Sequence, residues 1–490
     1  MIGVSFMPVS DFLQQVTGIF SRGIGVAVVF MIVSLLGCTA VHDKLYHGKR
    51  TFPIRRVISI ILFSGYLTGL ITITLFLRTT GSTGIQWHLF RSFWEAWNHF
   101  DIHFWTLFLG NIAMFMPLGS FLPLLFHPFR RWYVTIPTGF GVSLLIEAAQ
   151  LIFQLGSADV DDLFCNTLGT VLGYCLCMVG ISLYERKPVW NTALYGVFPL
   201  LSAAALVGIF ITYYTQPYGT LTEGPSFVVD TSGVEWVLDC DLSDEPREVD
   251  IYYAEPFSPD SCFTFAETFA ERENAVSRFI FNYDDSAYFE YWRIPDGTGF
   301  SLEVNYADRS YHYSDYTYIF FNPETGRGET FPDDGNRSEG ELRTALLKYG
   351  IDLPNGAVLS YDGNQDPRRA GWYTFRADYL IEGNILTDGT VSCKVTSEGE
   401  IAEIVNSLSI SSFQAVESIL SEADAYERLR QGRFSPGRYF ENLGPSKVRI
   451  LSCTLDYLSD TKGFRQPVYW FELEGMNSVF VPALRDYWGP

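Results

Sequence analysis

The chain has 490 residues, 48% of them apolar, and a formal net charge of −21. The charge is divided unevenly: residues 1–213 carry a net +3 and residues 214–490 a net −24. An apolar, weakly basic part joined to a strongly acidic part argues against nucleic acid as a partner, since a phosphate backbone needs a basic face.

Residues 1–22 read as a lead-in rather than a signal peptide, because no basic residue precedes Arg22. Six apolar spans are then expected, near Gly23–Val41, Val57–Leu77, Phe104–Phe126, Tyr133–Phe153, Leu163–Tyr184 and Thr192–Tyr213. Lys44, Lys49, Arg50, Arg55, Arg56, Arg130, Arg131, Arg186 and Lys187 fall on one side of these spans. Only Arg22, Arg78 and Arg91 fall on the other. The positive-inside rule places the larger group in the cytoplasm. The connection at 154–162 and everything after Tyr213 then face outward. The expected architecture is a membrane all-α helical bundle of about six transmembrane helices (23–213), a linker (214–225) and an acidic extracytoplasmic α+β domain (226–490). The last is open to division into lobes at about 226–370 and 371–490.

Between the second and third spans, Trp87, Phe90, Phe93, Trp94, Trp97, Phe100 and Trp105 recur at helical spacing. They predict an interfacial helix, which either faces a substrate or serves as an aromatic belt for the third span. His88, His99 and His103 lie in the same loop, but their spacing is not a zinc pattern.

The polar residues inside the spans carry the functional expectation. Asn111, Pro117 and Gly119 lie on the third span, where Pro117 breaks the backbone ladder and Gly119 allows a neighbour close approach. Glu147 and Gln150 lie three residues apart on the fourth and share a helical face. Asp159, Asp161 and Asp162 fill the hinge after it, and Asn166, Gly169 and Gly173 continue onto the fifth. An ionisable group within a span is costly, so Glu147 is by default a functional hypothesis. Asp159, Asp161 and Asp162 could bind a divalent cation through oxygen. Glu147 could move protons, or two carboxylates could act as acid and base. The structural alternative is that Asp161 or Asp162 caps the fifth helix, that Gly169 and Gly173 form a packing seam, and that Gln150 bonds Glu147 or Asn111.

Taken together, the N-x5-P-x-G segment, the E-x2-Q segment, the D-x-D-D cluster and N-x2-G-x3-G resemble the VanZ-like family over roughly Asn98–Tyr184. Many members place an arginine just before the acidic cluster. Here Ser157-Ala158 stand there, so that charge is missing or comes from elsewhere. The family takes its name from a protein associated with teicoplanin resistance. The resemblance therefore implies a polytopic cell-envelope protein of a Gram-positive-type bacterium, and it supplies no settled reaction.

In the acidic part, SRFIFNYDDSAYFEYWRI reads as two strands about Asp284-Asp285, and SYHYSDYTYIFF as two about Ser314-Asp315. Ser338 and Glu341 have capping-box spacing before a helix that stops at Gly350. GWYTFRADYLIEG reads as a strand, ILTDGTVSCKVTSEGEIAEIVNSL as a hairpin about Asp388-Gly389, and AYERLRQG as a capped helix after Ser421. Ser421–Leu484 resembles PepSY-like or YycI-like extracytoplasmic modules, which implies binding or regulation. Asp362-x-Asn364-x-Asp366 starts like a calcium loop, but Pro367 and Tyr373 break the pattern, so it reads as a turn. Cys240, Cys262, Cys393 and Cys453 allow three pairings, and spacing does not choose among them.

Two functions fit. In the first, Asn111, Glu147, Gln150, Asp159, Asp161, Asp162 and Asn166 line an outer-face site for an envelope lipid, a lipid-linked wall precursor or a lipoglycopeptide. In the second, the bundle is a metal-dependent hydrolase or transferase acting on a phosphate-linked lipid. A sensor acting through the outer domain is a third option. No cofactor is implied beyond an open place for a divalent cation. The chain has no P-loop, nucleotide fingerprint, or nucleophile with an adjacent base, which favours the first reading.

Overall fold

The computed structural model describes residues 54–490, apart from 77–83, 256, 284–285, 294–296, 307, 323–326, 331–334, 363–370, 397, 436–445, 488 and 490. The expected first span, Gly23–Val41, and most of the calcium-like turn lie outside the described residues. The chain forms two compact units. The first runs to Pro217 and takes in Thr222–Val228; the second is Tyr218–Leu221 with Val229–Trp488.

The first unit is helical: α1 (Ile54–Ile71, extended by a π turn to Phe76), a two-residue strand β1 (Ile85–Gln86), α2 (Arg91–His99), α3 (Ile102–Leu125), α4 (Trp132–Ile152), β2 (Ala158–Asp159), α5 (Val160–Tyr184) and α6 (Val189–Thr215). Among the described residues five stretches are long and apolar enough to cross a membrane: Ile58–Phe76, Ile102–Leu125, Trp132–Ile152, Val160–Tyr184 and Thr192–Thr215. They coincide with the second to sixth expected spans.

α5 is the centre of this bundle because it presents almost no side chain to α3. A Cβ at Gly169 would come closer than 3.0 Å to the Ile112 carbonyl oxygen, and one at Gly173 to that of Met116. On α3, Gly119 meets the Thr170 carbonyl in the same way, and on α4, Gly139 meets the Thr170 side chain. Small residues at four-residue spacing let the backbones touch, which is how helices associate where lipid removes the hydrophobic drive. Ser120 Oγ then donates to the Gly173 carbonyl at 2.9 Å, and Tyr174 Oη to that of Arg130 at 2.8 Å. At the end remote from the hinge, Arg130 and Lys187 pair with Glu185 at 2.7 and 2.9 Å.

The second unit is built on one 14-stranded sheet. In chain order its elements are β3 (Val234–Leu238), β4 (Glu248–Tyr253), α7 (Pro259–Arg272), β5 (Ala275–Asn282), β6 (Ser286–Arg293), β7 (Gly299–Asn305), β8 (Tyr311–Asp315), β9 (Ile319–Asn322), β10 (Arg327–Thr330), α8 (Glu339–Lys348), β11 (Val358–Asp362), β12 (Trp372–Glu382), β13 (Ile385–Val395), β14 (Ile401–Asn406), β15 (Ser409–Ser418), α9 (Glu422–Arg430), β16 (Ser446–Ser459), β17 (Phe464–Leu473) and β18 (Val479–Pro482). The strand path is β3-β16-β17-β4-β15-β13-β14-β8-β7-β6-β5, with β11, β12 and β18 attached beside it and β9–β10 a separate pair. Alternation makes the core: Ala287, Phe289 and Tyr291 of β6 and Tyr311 and Tyr313 of β8 point inward against α7 and α8. The expected lobe boundary near residue 370 does not divide this core, which runs from Cys262 to Ile404 and includes Tyr373, Phe375 and Cys393.

The β5–β6 hairpin and the α8 capping box form as expected. Three features differ. β8 does not pair with β9, because Asp315 turns the chain away by accepting from Thr317 N at 2.9 Å, and β9 pairs with β10 instead. Asp388-Gly389 is not a turn. It lies within β13, whose residues 385–388 pair with β15 and 391–395 with β14, and the chain reverses at Thr396–Glu400. Finally, α7 is a helix that the sequence reading did not place. Ser258 caps it, accepting from Ser261 N at 3.1 Å, and Pro259 opens its first turn. None of the seven described cysteines is bridged.

Candidate functional site

The hinge joins α4 to α5 at the end of the bundle where α3 begins and α6 finishes. α4 closes past Ile152, and the Leu155 N–H returns to the Gln150 carbonyl at 2.8 Å. The chain then runs briefly extended. β2 pairs in parallel with β1 through Ile85↔Ala158 and Gln86↔Asp159, which brings the aromatic loop alongside the acids.

Each polar side chain has a definite partner. Glu147 is 5% exposed and its Oε2 accepts from Asp159 N at 2.9 Å. Asp159, not Asp161 or Asp162, caps α5: its Oδ1 accepts from Asp161 N at 2.8 Å. Asp162 lies three residues past the cap, within the first turn, and receives Asn111 Nδ2 from α3 at 2.5 Å. Asp161 is 2% exposed and turns outward from the helix to the loop. Its two oxygens accept from Phe90 N at 2.5 Å and Ser92 N at 2.7 Å, the first donors of α2. Gln150 Nε2 donates to the Thr74 carbonyl at 3.0 Å, so it ties α4 to α1 rather than to Glu147 or Asn111. Asn166 Nδ2 donates to Ser143 Oγ at 2.9 Å. The structure therefore brings all seven expected residues to one end of the bundle.

Two buried acceptors remain. Gln150 Oε1 and Asn166 Oδ1 have no hydrogen-bond partner among the described residues. A buried unpaired acceptor costs free energy, about 1–3 kcal/mol each, and native structures keep few of them.

Arg91, in the first turn of α2, bonds Glu95 at 2.8 Å and acts on Asp159 as an attractive charge. It also stacks over Phe227, 5.2 Å from the ring centre. Asp159 lies just outside the Val160–Tyr184 span. Burial, followed by repulsion from Asp162 and Asp161, pushes its carboxyl up to about 6, against the pull of its own bond to Asp161 N and of Arg91. A folded value above the ordinary 3.8 means that the folded hinge binds the proton more tightly than the unfolded chain does. The resulting stabilisation is complete below about 3.8 and lost as pH rises through about 6. Thermal unfolding in detergent should therefore show a midpoint that falls with pH across this window. Asp159→Asn should remove that slope. An unchanged slope in the variant would assign it to another group.

The aromatic loop is mostly packing. Trp97 and Trp105 are buried, and Phe100 stacks on Tyr213 at 3.2 Å between ring centres. Asn98 Nδ2 donates to the carbonyls of Gly224 and Pro225. Trp87, by contrast, is 70% exposed, and Ile85, Leu89 and Phe90 are also exposed, so the apolar rim is the segment before α2. His88 and His99 pack on Phe227 and Phe104. Among the described residues no group of three or more His, Cys, Asp or Glu side chains is placed to hold a metal ion.

A helical bundle with a polar hinge at one end and a β-rich unit after it defines a polytopic membrane protein with an appended domain. Residues 60–182 match the family model described as VanZ/LLP1, so the chain carries a VanZ-like domain, and the match includes every hinge residue named above. No curated protein matches the chain. Among solved structures, an uncharacterised protein of Eubacterium rectale is similar at 12% identity over 48% of this chain and 82% of its own, with a TM-score of 0.25. The YpeB C-terminal domain of Bacillus megaterium is similar at 11% identity over 47% of this chain and 95% of its own, with a TM-score of 0.20. Likenesses at these scores carry no argument about this chain's activity.

Proposed function

We propose that this VanZ-like membrane protein binds an amphiphilic envelope component at its hinge: an envelope lipid, a lipid-linked wall precursor or a lipoglycopeptide. On this reading it contributes to teicoplanin-type resistance. On this reading the hinge faces the outer side of the membrane and the acidic β-rich unit is extracytoplasmic, an orientation that the distribution of basic residues favours. The observation that carries the reading is the buried polar tier of Glu147, Gln150 and Asn166, two of whose acceptors are unpaired, beside an exposed apolar rim at Ile85–Phe90. Such a site suits a ligand with a donor-rich head and an apolar tail.

The test is antibiotic susceptibility in a sensitive Gram-positive host expressing the protein, its Glu147→Gln form or its Asp162→Asn form. Inhibitory concentrations are read for teicoplanin and vancomycin side by side. A teicoplanin-selective rise that both substitutions remove is the expected result. No rise, with the protein present and folded in the membrane, would sink the resistance reading and turn attention to the β-rich unit.

A further inference from the structure

The second unit contains a cavity that the hinge does not explain. It has a volume of about 420 Å³ and lies where β4, β12 and β16 come together. It is lined by Tyr379 and Tyr457 with the buried Tyr252 beside them, by Leu455, and by Glu248 and Asp250. No basic side chain lines it among the described residues.

The three phenol rings form a connected group. The Tyr252 and Tyr457 ring centres are 6.3 Å apart at 81°, and those of Tyr379 and Tyr457 are 6.0 Å apart at 43°. Tyr379 stands at the register shift in β12 between Ala377 and Leu380, with φ at +47°. A non-glycine residue in the left-handed region is strained and persists only where its surroundings hold it. Here Tyr457 N lies 3.5 Å from Tyr379 Oη. Tyr252 Oη donates to Asp250 Oδ2 at 3.3 Å, which draws that carboxylate to the aromatic wall. Burial, and then the neighbouring Tyr252 and Asp250, hold the Tyr457 hydroxyl up at about 12, so the phenol stays neutral at physiological pH.

We infer that this cavity binds an alkylammonium cation, such as a lysine-like side chain presented by a peptide. Aromatic faces attract a cation through their quadrupoles, carboxylates fix its charge, and the half-buried Leu455 accepts its methylenes. The net −24 of residues 214–490 raises the local concentration of such a ligand. The inference is independent of the hinge, since every residue it uses lies in the second unit.

The experiment uses the full chain in nanodiscs of neutral lipid, with N-acetyl-lysine methylamide as probe and N-acetyl-norleucine methylamide as its uncharged isostere. Binding is read by ligand-observed NMR titration. The expected result is saturable binding of the lysine probe, with the norleucine probe at least about tenfold weaker. Asp250→Asn and Tyr379→Ala should each weaken the lysine probe by about tenfold, while Tyr379→Phe, which keeps the ring face, should bind like the wild type. Unchanged thermal unfolding of Asp250→Asn and Tyr379→Phe guards against misfolding as the cause. Equal binding of the two probes, no saturable binding, or an undiminished Asp250→Asn response would each overturn the inference.

Discussion

Gly173→Leu should leave little folded protein in the membrane. The atom that a side chain at this position would meet is the Met116 carbonyl oxygen, part of the α3 backbone, which cannot rotate aside. Gly169 against Ile112 and Gly119 against Thr170 repeat the arrangement along the same seam. A leucine can therefore be accommodated only by separating α3 from α5. Overpacking a close-fitted core costs about 1–3 kcal/mol and occasionally more, and a backbone-to-backbone seam belongs at the upper end. Separation would also break Ser120 Oγ to Gly173 and Asn111 to Asp162, since each of these bonds crosses from α3 to α5. Thermal unfolding in detergent reads the effect. Gly180→Ala, on the same helix, is the control: among the described residues nothing outside its own helix backbone lies within 4 Å of its added Cβ, and alanine is the better helix former by about 0.5–1 kcal/mol. If Gly173→Leu unfolds at the wild-type temperature, the seam is not what holds the bundle.

The seam and the polar tier were legible in the sequence because both are written in helical spacing within long apolar runs. Glu147 and Gln150 share a face by their separation alone, and Gly169 and Gly173 recur four apart. The destinations of the carboxylates were not legible. Asp161 meets Phe90 and Ser92 across about seventy residues of chain, and nothing local to an aspartate says which distant N–H it will accept. In the second unit single residue types serve more than one purpose. Gly389 follows Asp388 as a turn glycine would, but its φ of +116° and the Ser407 carbonyl beside it show a strand pressed against backbone, a second reason for glycine. α7 was hidden by its phenylalanines, which look strand-like until Ser258-Pro259 is recognised as a helix start.

Asp161→Ala should release the aromatic loop from the hinge while leaving the spans intact. The carboxylate accepts from two N–H groups at the start of α2 and is almost wholly buried. Its removal takes away those acceptors, at a cost of about 1–3 kcal/mol for each donor left unpaired. It also removes a negative charge from a helix N-terminus, a further loss of about 0.3–1 kcal/mol at an exposed site and more where the site is partly buried. Phe90 is held with φ at +68°, a conformation that phenylalanine does not keep unaided. The two-residue pairing of β1 with β2 is too short to hold the loop alone. Hydrogen exchange should therefore rise across residues 85–99 and stay slow in α3 and α5. Asp161→Asn keeps one carbonyl acceptor and should recover part of the protection. Exchange that is unchanged in Asp161→Ala would mean that the packing of Trp97 and Phe100 suffices to fix the loop. Resistance adds a second readout. If the protein confers the proposed resistance and the exposed rim at Ile85–Phe90 admits the ligand to the polar tier, Asp161→Ala should lose that resistance as Glu147→Gln is expected to, although it leaves Glu147, Gln150 and Asn166 in place.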